Sequence, residues 1–106
     1  DGIVRLSKIE VYPQHLDEYM KYATEVGEVS LRTEPGVLTM YAVSEKENSC
    51  KVTILETYAS REAYEKHIAS EHFQKYKQGT LHMVKSLVLA DQTSLNPANK
   101  INNFIQ

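Results

Sequence analysis

The hydrophobic pattern of this chain switches from a period of two to a period of three to four and back again, twice within the first ninety residues, and that succession limits the fold more than any single motif. Ile3 to Val11 (IVRLSKIEV) alternates as a half-buried strand does, and Tyr12-Pro13 closes it because proline has no N–H to give a ladder. Leu16, Tyr19, Met20, Ala23, Val26 and Ser30 then recur at helical spacing. This predicts an amphipathic helix from Gln14 to about Thr33, roughly 30 Å long. Glu34-Pro35-Gly36 stops it, since proline disfavours helical geometry in the residue before it and glycine accepts the turn that follows.

Val37 to Ser44 (VLTMYAVS) and Lys51 to Tyr58 (KVTILETY) are rich in β-branched and aromatic residues around the polar stretch Glu45-Lys46-Glu47-Asn48-Ser49, and predict a hairpin. Ser60 is positioned as an N-cap for a helix from about Arg61 to Ala69. Ser70-Glu71 can cap a second short helix carrying His72, Phe73, Tyr76 and Lys77. Val84 to Ala90 supplies a last strand. The order βαββαβ is that of an α+β ferredoxin-like plait, an antiparallel sheet with its helices on one face. In the hairpin both alternating sets contain apolar groups, Val37, Tyr41 and Val43 against Leu38, Met40 and Ala42; in the last strand Val84 and Val88 oppose Leu87 and Leu89. Apolar groups on both sheet faces predict that the open face packs on a second copy, as a homodimer.

A chain of 106 residues with this pattern is one domain, residues 1–91, followed by a C-terminal tail, residues 92–106. The tail lacks periodicity but ends in Ile101, Phe104 and Ile105, which makes an arm over a partner subunit the sharper alternative to a loose end. Basic and acidic residues number 12 and 14 and are interspersed, so no electrostatic footprint for nucleic acid exists. No apolar run approaches the roughly 20 residues that cross a bilayer, so no membrane partner is expected. Cys50 is the only cysteine, which excludes an internal disulfide and any multi-thiolate metal site. The first residue is Asp1 rather than Met, which leaves the compartment open: cytoplasmic by default, exported if a signal segment preceded it.

Absences narrow the chemistry. The four glycines, Gly2, Gly27, Gly36 and Gly79, are dispersed, so a flavin or nicotinamide cofactor lacks its usual phosphate cradle. His67 and His72 would project about 140 degrees apart on an unbroken helix, and no metal site is expected from these two alone. A break at Ser70 would let them converge. His67, His72 and Tyr76 are the candidates for catalysis, with Glu56, Tyr58, Tyr41 and Tyr64 as candidate pocket residues. A histidine with its ordinary pKa near 6.5 can accept a proton in a pocket, whereas an inward histidine on the stripe with Tyr64 and Ile68 is more often a hydrogen-bonded core residue. Glu56 shares a strand face with Val52, Ile54 and Tyr58, where a carboxylate needs partners; a cross-sheet ion pair with Arg5 or Lys8 is the expectation. His15 and His82 read as surface residues without a cluster.

Thr33-Glu34-Pro35-Gly36-Val37-Leu38, Leu55-Glu56-Thr57-Tyr58, Ala63-Tyr64-Glu65-Lys66-His67 and His67-x4-His72-Phe73-x2-Tyr76 together resemble the antibiotic biosynthesis monooxygenase domain family, in particular its bacterial quinol monooxygenase type, over Val4 to about Asp91. The resemblance implies a dimeric α/β barrel with a pocket between sheet and helices, and oxidation of a small phenol, quinol or anthrone by O2 without metal, flavin or haem. His72 or His67 would be the base and Tyr76 an orienting donor. The haem-degrading and anthrone-oxidising branches use a tryptophan, and this chain has none. A second branch isomerises a phosphorylated autoinducer-2-type dicarbonyl; it shares the histidine segment but has a histidine in the first helix at a place where this chain offers Glu25 and Glu28 instead, and Lys75, Lys77 and Lys85 are its candidate phosphate contacts. A non-enzymatic, small-molecule-binding dimer is the third alternative.

Overall fold

A computed structural model describes residues 2–95. Strand β1 (Ile3–Val11) leads through a 3-10 turn at Pro13–His15 into helix α1 (Leu16–Thr33). Strands β2 (Val37–Ser44) and β3 (Lys51–Tyr58) form the expected hairpin. Helices α2 (Arg61–Ala69) and α3 (Glu71–Thr80) follow, and a 3-10 turn at Leu81–Met83 feeds strand β4 (Val84–Gln92). The sheet has the order β2-β3-β1-β4 with every pairing antiparallel, the α+β ferredoxin-like arrangement. Of the tail, residues 96–106 lie outside the described residues, and so does the arm expected there.

The core forms where the helices meet one face of the sheet: Ile9, Val11, Val52 and Ile54 from the strands close on Tyr19 of α1 and Met83 of the last 3-10 turn. Burying each such side chain contributes roughly 1.5–3 kcal/mol. Two β-bulges break the strict alternation that the sequence suggested. One lies between Val37 and Thr39, so Val37 is buried while Tyr41 and Val43, expected on its side, are exposed on the opposite face. The other lies where Glu10 pairs with Ser86 but Val11 with Val84; Val84 thereby joins Leu87 and Leu89 on the helix side, leaving Val88 opposite. An extra residue in one strand shifts every later side chain to the other face.

Three junctions decide where the functional side chains go. Glu34 ends α1 in extended geometry (φ −114°, ψ 103°), as a residue before proline must, with its N–H still bonded to Ser30 O at 2.9 Å. Gly36 is required for space and not for a left-handed backbone, since no described residue has positive φ; a Cβ there would lie 2.4 Å from Ala63 Cβ, so only glycine lets this junction pack against α2. Ser70 (φ −69°, ψ 152°) terminates α2 and caps α3, its Oγ accepting from Phe73 N–H at 3.2 Å and donating to His67 O at 2.6 Å.

Candidate active site

The sheet's helix-facing side and helices α2 and α3 enclose a cavity of about 320 Å³. Ile9, Met40, Ile54, Phe73, Leu87 and Leu89 supply apolar wall; Arg5, Ser7, Glu56, Tyr58, Tyr64, His67 and Tyr76 supply the polar groups. A cavity of this volume admits a ligand of one or two aromatic rings and fits the ordinary size range of small-molecule sites.

Two carboxylates organise it. Glu34 Oε2 lies 2.9 Å from His67 Nδ1 and 2.6 Å from His72 Nε2. The Ser70 break makes this possible, because it turns α3 away from the axis of α2 and brings two histidines from different helices onto one oxygen. Burial alone would raise the Glu34 carboxyl, but the hydrogen bonds and charges of His67 and His72 outweigh it and hold the group below the ordinary carboxylate value. His67 is 2 % exposed and packs against Tyr58 (ring centroids 5.4 Å apart) and Phe73 (5.1 Å). Its Nε2 has no hydrogen-bond partner among the described residues, and the ring borders the cavity.

The second carboxylate, Glu56, accepts from Tyr58 OH at 2.6 Å and from Ser7 Oγ. The expected ion pair does not form. Arg5 is its direct neighbour across the β1–β3 ladder, yet the guanidinium turns to Asp91 on β4 (2.9 Å) and to Tyr64 OH (2.6 Å), and it covers the Tyr64 ring at 4.6 Å. Lys8 is an odd number of residues along β1 and faces the other side of the sheet. Burial works against the Arg5 charge, but Tyr64 and Asp91 more than compensate and raise its pKa. Burial, and then Glu56, push the Tyr58 hydroxyl far above its ordinary value, so it stays a donor. Tyr76 is raised chiefly by burial and shares a 2.6 Å hydroxyl contact with Tyr19.

Comparison with known proteins places this architecture. Residues 2–79 match the sequence profile of the family described as antibiotic biosynthesis monooxygenase. The chain belongs to that family. A protein of Bacteroides thetaiotaomicron VPI-5482, provisionally named an antibiotic biosynthesis monooxygenase, is 54 % identical, with 95 % of this chain and 96 % of that chain covered and a TM-score of 0.93. A protein of Lactobacillus acidophilus NCFM, provisionally named a monooxygenase, is 27 % identical at a TM-score of 0.84; 87 % of this chain aligns with 44 % of that one. A Nitrosomonas europaea member at 15 % identity shares the fold with a TM-score of 0.83 over 91 % of this chain and 92 % of its own. Comparison with curated protein sequences yields no significant match.

Within this family member, the structure brings five of the seven expected site residues to one cavity: His67, Tyr76, Glu56, Tyr58 and Tyr64. Tyr41 is not among them. Its neighbour Met40 faces the cavity, so alternation sends Tyr41 to the open sheet face, where it is 66 % exposed. His72 lies behind the cavity wall, joined to it through Glu34. Lys77 and Lys85 border the cavity, Lys85 at 3.8 Å from Glu10, whereas Lys75 is not part of the lining and pairs with Glu25 at 2.9 Å. His15 and His82, expected to stand alone, meet edge to face at 4.9 Å. Glu34 is a residue of the candidate site that the sequence reading does not single out, since a glutamate before Pro35 reads as a helix stop; the signal available is a carboxylate in a Glu-Pro-Gly junction of a chain whose histidine segment carries His67 and His72.

Donor atoms of Glu34, His67 and His72 all lie within 4.8 Å of one another, and two imidazoles with one carboxylate are a set able to hold a divalent transition metal. The 2.6 and 2.9 Å separations, however, are those of hydrogen bonds. Ligands on one tetrahedral ion stand about 3.4 Å apart, so an ion would require the cluster to open.

Proposed function

We propose that this protein is a cofactor-independent monooxygenase that binds a quinol or related small phenol in the cavity, takes a phenolic proton on His67 and lets the resulting anion react with O2. The observation that carries this reading is a buried imidazole at the wall of an apolar cavity, with Nδ1 committed to Glu34 and Nε2 without a hydrogen-bond partner among the described residues. Deprotonation makes an electron-rich ring a better electron donor to O2, so the protein need only bind, deprotonate and orient it. Electrons and atoms balance without a further reductant: hydroquinone and O2 give hydroxyquinone and water. Tyr58 and Tyr76, kept protonated by burial, and the Glu56–Ser7 pair offer the second ligand oxygen its hydrogen-bond partners.

We further propose a homodimer closing the open sheet face. Leu38, Tyr41, Val43 and Val88 are exposed there or at its rim, an apolar surface of the kind monomers seldom leave to water. Sedimentation at micromolar concentration would detect it; a monomer would count against the barrel.

The deciding experiment is protein-dependent oxygen consumption with a panel of benzoquinols and naphthoquinols, corrected for autoxidation. The expected result is uptake that His67→Ala abolishes. Rates equal to the blank across the panel would overturn the oxygenase. Lys77 and Lys85 beside the cavity favour a second reading, isomerisation of a phosphorylated dicarbonyl, which would proceed without O2; saturable binding without product would indicate a binding protein.

A further inference from the structure

We propose that Glu34 and His72 form a positioning device outside the cavity that holds His67 in the Nδ1–H tautomer, so that its Nε2 meets the ligand as a proton acceptor. This rests on His67 being the base of the oxygenase. A neutral imidazole has one N–H, and a carboxylate can only accept, so the 2.9 Å contact assigns the hydrogen to Nδ1. His67 is nearly sealed from solvent, which leaves Glu34 as the group that chooses the tautomer.

Glu34 alone would be a poor guide. Its side chain turns about three bonds, and on its far side it lines a surface groove with Thr33, Pro35, Glu62 and Lys66. Held by one hydrogen bond, the carboxylate can swing toward water or toward Lys66. His72, in the first turn of α3, donates from Nε2 to the same Oε2 at 2.6 Å and removes that freedom. Ser70 sets where His72 starts, and Gly36 lets the Glu34 junction approach α2. The groups facing the pair are few: Tyr58 on β3, Phe73 on α3, and Glu62 and Lys66 of α2 across the groove. Among them Lys66 is the only competing cation.

The geometry therefore orders the effects: His72 fixes Glu34, Glu34 fixes His67, and His67 meets the ligand. His72 and Glu34 are positioning residues and touch no ligand. The experiment is two-bond 1H–15N correlation on the imidazoles of uniformly labelled, ligand-free protein at mildly alkaline pH, paired with steady-state kinetics. Wild type should show His67 protonated at Nδ1 and bare at Nε2. In Glu34→Gln the amide N–H2 can donate to Nδ1, which moves the hydrogen to Nε2; kcat should fall about 10² to 10⁴-fold with KM nearly unchanged, the scale seen when a carboxylate that orients a histidine becomes an amide. His72→Ala should give mixed His67 tautomers and about a tenfold loss of kcat, on the scale of one lost hydrogen bond. His72→Gln, whose amide nitrogen can take the place of Nε2, should restore both.

A wild-type His67 protonated at Nε2, or a Glu34→Gln protein that keeps the Nδ1–H tautomer, would overturn the proposal. The spectrum needs no substrate. If no quinol is oxidised, the oxygenase falls while the tautomer result stands; if quinols are oxidised and the tautomer does not respond to residue 34, this inference falls alone.

Discussion

Glu34 and Glu56 are the same residue type on two walls of one small protein, and their surroundings give them different work. Glu34 is met by two imidazole nitrogens from two helices, and it belongs to a junction between elements. Glu56 is met by two hydroxyls, both from residues of the sheet, and it sits in the middle of a ladder. An imidazole can carry its hydrogen on either of two nitrogens, whereas a hydroxyl has a single oxygen that serves as donor and acceptor alike. The first carboxylate is therefore suited to steer a base, and the second to present fixed hydrogen-bond geometry to a ligand. What separates them is the chemistry of their donors and the rigidity of the backbone that carries them.

The largest effect that would test this division is catalytic. His67→Ala should remove protein-dependent oxygen uptake, while Tyr58→Phe, which deprives Glu56 of one donor, should lower kcat/KM about tenfold, the scale of a single lost hydrogen bond; equal losses in the two variants would erase the distinction. Next comes the junction. Gly36→Ala places a Cβ against Ala63 and should cost about 1–3 kcal/mol in denaturant unfolding, as overpacking does, with the Glu34 cluster disturbed and the Glu56 network intact by NMR. Ser70→Ala removes the cap of α3 and should cost about 1 kcal/mol by the same measurement. A destabilisation within error would show that other contacts hold the α2–α3 break.

The smallest effect separates the carboxylates by pH. Because the folded pKa of Glu34 is depressed, its contribution to stability is fully present above the ordinary carboxylate value of 4.5 and is lost as pH falls through the folded value. Unfolding free energies of wild type and Glu34→Gln should thus differ at neutral pH and converge in acid. A constant difference across that range would remove the linkage.

Much of the fold was legible because its signals are local. Periodicity located each strand and helix, and Ser60 and Ser70 marked their helix starts by the chemistry of a side-chain oxygen near free N–H groups. Tyr41 was misplaced and Val84 put on the wrong face by the same rule that worked elsewhere, since alternation read through a strand does not register a bulge, and a bulge is settled by how the neighbouring strand pairs. Arg5 and Glu56 illustrate the same gap. They are opposite in charge and adjacent across the ladder, yet Arg5 turns to Tyr64 and Asp91 from distant segments, while Glu56 takes Ser7 from the neighbouring strand and Tyr58 from two residues along its own.

By itself the sequence determined the order of elements, the capping serine at position 70, the histidine-rich segment and the family resemblance, because each is written in residues near one another along the chain. Only the tertiary structure decided that Glu34 meets His67 and His72, that His67 borders the cavity while His72 stands behind it, and that Glu56 is held by hydroxyls. The Glu34 contacts join residues 33 and 38 positions apart and the Ser7–Glu56 contact joins residues 49 apart, and in each the competition among partners is resolved by distance and burial, quantities that exist only once the chain has folded.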